Sequence, residues 1–349
     1  NRDQRDVFVE VDWIDNNMPH DKPKSGTANG PLGSGSHPMG LSAVVEAFKN
    51  APPLVGGAGG INLHLSPGSA DLVDEALPSA MSTSFIGATS QFQILKHGAS
   101  GNPCHPNLPP SIVGYFGTAQ DRKGRNCDAI LGAKALVFRY ALFVREISDP
   151  GSHTATVGIA SIGGSDMSIG GGILTDKEAI VAGAHQEYCM TLDDCWGEFQ
   201  AGTFMHELGH SLGLSHGVVD DYMLKPNHFS VMNDTYIWRA QSSNRTLDYA
   251  RYKIPDLDER QLDETKGLDL SSVLTLAEIN DLVGRFPNVF FRSASFPDVC
   301  SVHSVPTNAV PIDWDVSGGT PGITSRYLRA RGTEQPGSDC HGPTRKVLR

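Results

Sequence analysis

An α+β fold is predicted: a mixed β-sheet with helices packed on it. Three observations carry this expectation. Segments of β-type and helical periodicity follow one another in the front half in the order strand, helix, strand, loop, three strands, helix, an order that a mixed sheet accommodates. Gly (38) and Pro (22) exceed their usual share of about 12%, which points to many turns and long loops rather than a helical bundle. Length does the rest: 349 residues suffice for about two domains, or one large domain with an appendage, and for a core that needs no staples.

The elements follow in chain order. Val7–Trp13 is rich in β-branched and aromatic residues and reads as a strand. A Gly/Pro/Ser/His loop covers about 16–38. Leu41, Val44, Val45 and Phe48 recur at i, i+3, i+4, i+7, so 41–48 reads as a helix. Ile61–Leu65 alternates apolar and polar residues and ends at Pro67-Gly68. Residues 66–134 read as loop, with a Pro-rich patch at 102–110. Strands are expected at 137–147, 155–162 and 166–169, and a helix at 198–212. In the back half, Thr275-Leu276-Ala277-Glu278 is a capping-box pattern ahead of Ile279, Leu282, Val283 and Phe286 at helical spacing, stopped by Pro287. Beyond 290 an irregular, Cys-containing extension is expected over 291–349.

Charge and hydropathy exclude several classes. A net charge of −11 repels phosphate backbones, and the basic runs 122–125 and 345–349 are short, so no nucleic-acid partner is expected. No apolar stretch approaches the roughly 18 residues of a membrane span. The six cysteines form no C-x-x-C pair. Their even count and spread suit three disulfides in an oxidising compartment, with local pairing (104–127, 189–195, 300–340) as the expected pattern. The chain starts at Asn1 without Met, which suggests a processed product whose export signal or pro-segment lies out of view.

The chemistry sits in Thr203–His216. On a helix, residues four apart share a face, so His206 and His210 can aim two imidazoles at one point, with Glu207 on the flank. Gly213 falls where the helix should end, and a left-handed glycine there turns the chain and returns His216 as a third nitrogen. Three neutral imidazoles leave a tetrahedral Zn²⁺ one open position, the pattern of a catalytic rather than a structural site. The zinc-bound water, with Glu207 as general base, implies amide hydrolysis. By this chain's own composition, the five fixed positions would coincide by chance in roughly one such sequence in ten thousand.

His206-Glu207-x-x-His210-x-x-Gly213-x-x-His216 resembles the zinc signature of metzincin metalloendopeptidases, and Ser230-Val231-Met232-Asn233, 16 residues after His216, resembles their Met-turn. The resemblance implies a metzincin-like fold: a twisted, mixed five-stranded sheet with helices above the active-site cleft, and an irregular, loop-rich lower subdomain with a terminal helix. It covers about 5–290, giving a catalytic domain over 1–290 (upper subdomain 1–216, lower 217–290). It further implies a secreted, extracellular zinc endopeptidase, expected as a monomer. Protein or peptide substrates would lie extended along a sheet edge, 155–162 or 166–169, with Trp238 near the specificity pocket. Met232 would form an apolar floor beneath the metal. Where several metzincins carry a zinc-side tyrosine, this chain has Asp234; Tyr236, two residues on, is either a substitute or a packing residue. Gly217, after the third ligand, matches none of the best-known subfamilies.

Two other functions fit the same residues: a two-His-plus-Glu zinc peptidase that does not use His216, and a zinc-stabilised binding or adhesion protein with a vestigial site. Calcium is a further expectation at Asp313-x-Asp315-x-Ser317, whose twelfth position is Thr324 rather than Glu, or at Asp256, Asp258, Glu259 and Asp263.

Overall fold

The computed structural model describes residues 5–13, 40–53, 59–67, 91–98, 103–105, 108, 113–144, 147, 158–170, 192–217, 225–237, 245–258, 260–292, 302–308, 311–314 and 322–324. The chain forms two units, chiefly Asn1–Val181 with Leu192–Leu214, and Ala182–Thr191 with Ser215–Lys346.

The first unit is built on a five-stranded sheet. Its strands are β1 (Arg5–Trp13), β2 (Ile61–Pro67), β3 (Phe138–Val144), β4 (Gly158–Ala160) and β5 (Asp166–Gly170), in the order β2-β1-β3-β5-β4. All neighbours run parallel except β4, which is antiparallel to β5. Of the two expected edge segments, Asp166–Gly170 is therefore internal and Gly158–Ala160 is the edge. Alternate residues of a strand face opposite sides. On one side Val9, Val11, Leu63, Ala141, Phe143, Met167 and Ile169 are buried. Against them pack α1 (Gly40–Lys49), through Leu41, Val44 and Phe48, and α4 (Leu192–Ser211), whose Phe204 ring stacks 6.0 Å from that of Phe143.

The opposite side carries Glu10, Asp12, Tyr140 and Asp166, polar residues that would suit a wet face. Instead, Glu10 and Asp12 are 0% exposed. The stretch read from the sequence as loop folds over them. It contains two helices, α2 (Gln91–His97) and α3 (Cys127–Val137), that periodicity did not reveal. Lys134 of α3 sits 2.6 Å from Glu10 Oε2 and 3.3 Å from Asp121. The Gly117 N–H donates to Glu10 Oε1 (2.7 Å), Arg122 donates to the Phe116 carbonyl (2.8 Å), and Lys96 pairs with Asp166. Isolated charges are not tolerated at this depth, so Glu10 and Asp166 are held by the cations and the N–H that cover them. The Cys104–Cys127 disulfide ties the start of α3 to the preceding loop, as expected; of the other two expected pairings, Cys189, Cys300 and Cys340 lie outside the described residues.

The second unit gathers Phe229, Tyr236, Leu282, Phe286, Phe291 and Trp314 into one apolar cluster. The predicted capping box starts helix α5 (Leu276–Arg285): the Thr275 side chain accepts from the Glu278 N–H while Glu278 accepts from the Thr275 N–H. The region beyond 290 is more regular than its composition suggests. Strand β7 (Asn288–Arg292) pairs antiparallel with β8 (Val302–Pro306), and β6 (Leu262–Asp263) with β9 (Ile323–Thr324). Among the described residues no helix is long and apolar enough to cross a membrane.

Candidate metal centre

Helix α4 has no solvent-facing stripe from 199 onward: every residue from Phe199 to Ser211 is buried. A helix enclosed on all sides should be apolar all round. This one carries Gln200, Thr203, His206, Glu207, His210 and Ser211, so these polar side chains need partners inside the protein. Ser211 is satisfied locally, donating to the Leu208 carbonyl (2.8 Å) and accepting from Arg139 of β3 (2.9 Å).

The helix ends as the sequence predicts. Gly213 has φ +94°, in the left-handed region. The Leu214 N–H donates to the Gly209 carbonyl (2.9 Å) and the Gly213 N–H to that of His210 (2.8 Å), the two bonds of a Schellman cap. The turn brings the Leu214 carbonyl to 2.8 Å from His210 Nδ1. A carbonyl only accepts, so Nδ1 carries the proton and the Nε2 lone pair is left for another partner. That Nε2 lies 3.1 Å from His206 Nε2, with the rings edge-to-face. Beyond the turn His216 joins them: one ring nitrogen from each of the three histidines falls within 4.8 Å of the others. His206 and His210 are buried and His216 is half-buried. The three expected ligands therefore converge and can hold a metal ion.

Glu207 is 4% exposed. Its carboxylate lies against Gly158 of the edge strand. A methyl group at position 158 would sit 2.3 Å from Oε1 and 2.8 Å from Cδ, so the absence of a side chain there makes the room that the carboxylate occupies. In the turn between β4 and β5, the Gly163 N–H donates to the His210 carbonyl (2.8 Å), which fastens the edge strand to the last turn of the helix. No sequence pattern marks Gly158 as a partner of the motif.

Met232 is buried in a tight turn. The Asn233 N–H closes it on the Ser230 carbonyl (3.0 Å), and the Met232 N–H donates to Ser230 Oγ (3.1 Å). Tyr236 is a packing residue. It is 1% exposed, lies among Phe229, Phe286 and Phe290, and donates its hydroxyl to the Asn288 carbonyl (3.1 Å). Burial raises its pKa far above the ordinary tyrosine value, so it stays protonated. Trp238 lies outside the described residues.

Among the described residues, only one other group of three or more ligating side chains comes together, Cys104, Cys127 and Asp128, and its two sulfurs are joined to each other. Asp256, Asp258 and Asp263 do not converge. Asp258 accepts from the Arg260 N–H (3.0 Å), and Asp263 from the Thr265 N–H (3.1 Å). Glu259 and Asp315 lie outside the described residues. No protein-family model, curated protein or solved structure matches this chain.

Proposed function

We propose that the chain is a metzincin-like zinc endopeptidase that hydrolyses internal peptide bonds of protein substrates, with His206, His210 and His216 as metal ligands and Glu207 as general base. One observation carries the reading: the two buried Nε2 atoms 3.1 Å apart, with His216 beside them. Two lone pairs at that separation repel unless a cation or a proton lies between them. Ligands about 2.0–2.1 Å from a tetrahedral zinc sit roughly 3.3 Å from one another, close to the spacing found. Glu207 and the Met232 turn add to the resemblance, and the grouping of His216 with the pair supports three imidazoles over two His plus Glu. Zinc held there supplies Lewis acidity, polarising a scissile carbonyl and acidifying the attacking water.

The protein's own residues do the rest. His210 keeps its Nε2 lone pair available because Leu214 holds the proton on Nδ1. Glu207 takes the water's proton and returns it to the leaving amine, a step that general-base catalysis makes about 10²–10⁴-fold faster. Strand β4, as the sheet edge beside α4, offers main-chain groups to an extended peptide. Export from the cell accords with the disulfide.

The test is Glu207→Gln. It should keep one zinc per chain and lose at least 10²-fold in casein or gelatin digestion, and a chelator should stop the wild type. Unimpaired proteolysis by the variant, or turnover in excess chelator, would overturn the mechanism. A zinc-loaded wild type inert toward every protein offered would favour the binding or adhesion reading.

A further inference from the structure

The third ligand, His216, lies on the chain beyond the helix, so no i→i+4 geometry fixes it. We infer that Lys225 and Asn233 are positioning residues for His216, joined in a relay of hydrogen bonds that runs from the Met232 turn to the residue beside the ligand. This rests on the zinc reading above and deepens it.

The relay runs entirely through side chain–backbone bonds. Lys225 Nζ donates to the carbonyl of Gly217, the residue immediately after His216 (2.9 Å). The Lys225 carbonyl in turn accepts from Asn233 Nδ2 (2.8 Å), which also donates to the His228 carbonyl (3.0 Å). The other end of that amide is occupied too, because Asn233 Oδ1 accepts from the Thr235 N–H (3.2 Å). Asn233 is 1% exposed and directly follows Met232. Its amide therefore serves as a three-way junction between the 225–228 segment, the Ser230–Asn233 turn and the helical turn that follows.

The chemistry favours a positioning role over general packing. Lys225 is only half-buried, and a lysine at such a depth normally sends its ammonium to water. Here the ammonium donates to a main-chain carbonyl next to a ligand. A charged donor on a neutral carbonyl makes a stronger bond than a neutral pair would.

The experiment measures zinc release from the full-length holoprotein into a chromophoric chelator, beside peptide hydrolysis. Groups that orient ligands typically change metal affinity by 10–100-fold. Lys225→Met should release zinc about tenfold faster, and Lys225→Arg, which keeps a cationic donor, should stay near the wild-type rate. Lys225→Gln, a milder change that removes the ammonium, should behave like Lys225→Met and serves if the latter fails to fold. The decisive arm is the double variant. On a His216→Ala background, Lys225→Met should add nothing, because the ligand it positions is gone. A wild-type release rate in both Lys225→Met and Lys225→Gln, or the same tenfold acceleration on the His216→Ala background, would overturn the inference while leaving the zinc reading intact. If instead His206→Ala and His210→Ala leave the zinc content unchanged, the zinc reading itself fails.

Discussion

If Glu207 is the general base proposed above, replacing Gly158 by alanine should separate it from the metal. The new methyl would stand 2.3 Å from Glu207 Oε1 and 2.8 Å from Cγ and Cδ, whereas ordinary contacts of a methyl carbon are about 3.5 Å. Something must retreat by roughly 1 Å, and the end of a flexible side chain moves more readily than the backbone of a paired strand. An off-rotamer glutamate costs about 0.5–1.5 kcal/mol, so the variant should fold. A displacement of about 1 Å at a reacting group can cost 10²-fold in rate, equivalent to about 2.7 kcal/mol of barrier. The assay is kcat and KM on an internally quenched peptide, with zinc content and melting temperature measured on the same sample. The expected result is one zinc per chain, a melting temperature within a few degrees of wild type, and a kcat about 10²-fold lower. On a Glu207→Gln background, Gly158→Ala should change kcat little, since the group it displaces no longer acts as base. Wild-type kcat in Gly158→Ala, or an equal further loss on the Glu207→Gln background, would refute the reasoning.

Two further predictions concern the buried charged seam. Lys134→Met strands the Glu10 carboxylate in a site with 0% exposure and should lower stability by about 3–5 kcal/mol in chemical denaturation, whereas the double variant Glu10→Gln/Lys134→Met should recover most of the loss. Acid stability should depend on Asp121. Burial alone would raise its pKa, but the Thr118 N–H and hydroxyl and the Lys134 ammonium outweigh that and hold it below the ordinary carboxylate value. A depressed folded pKa means stability that is present above the unfolded value, near 3.9, and lost as the pH falls through the folded one. Asp121→Asn should therefore flatten the acid limb of the stability curve below about pH 4 while lowering the neutral plateau; an unchanged acid limb would refute the assignment.

What the sequence revealed, and what it hid, follows from where each element gets its stability. Strand β1, helix α1 and the capped helix α5 advertise themselves by local pattern. The candidate ligand set does too, because helix geometry and one left-handed glycine fix His206, His210 and the turn toward His216. Helix α3 was missed because its outward face carries Ile130, Leu136 and Val137, with Leu136 89% exposed, so there is no contrast between an apolar and a polar side to detect. Helix α2 spans only seven residues, too few for a period to register. The burial of Glu10 and Asp12 was equally invisible: among the described residues, cover from the 91–98 and 113–137 segments, far along the chain, turns their side of the sheet inward. Gly158, Lys225 and Asn233 act on the motif from a distance, by making space or by bonding to backbone, and neither leaves a spacing signature. The β7–β8 hairpin joins strands nine residues apart without a tight-turn signal between them.

The shared carbonyl of His210 has a practical implication for anyone re-engineering this protein. The short bend at 161–164 has an exposed Ile162 and would ordinarily be the first choice for grafting an epitope tag or a reporter peptide. Yet Gly163 there is a rivet between the sheet and the helix that carries His206 and His210, so on the zinc reading proposed above, lengthening that bend would loosen the hold on the metal before it disturbed the remainder of the molecule.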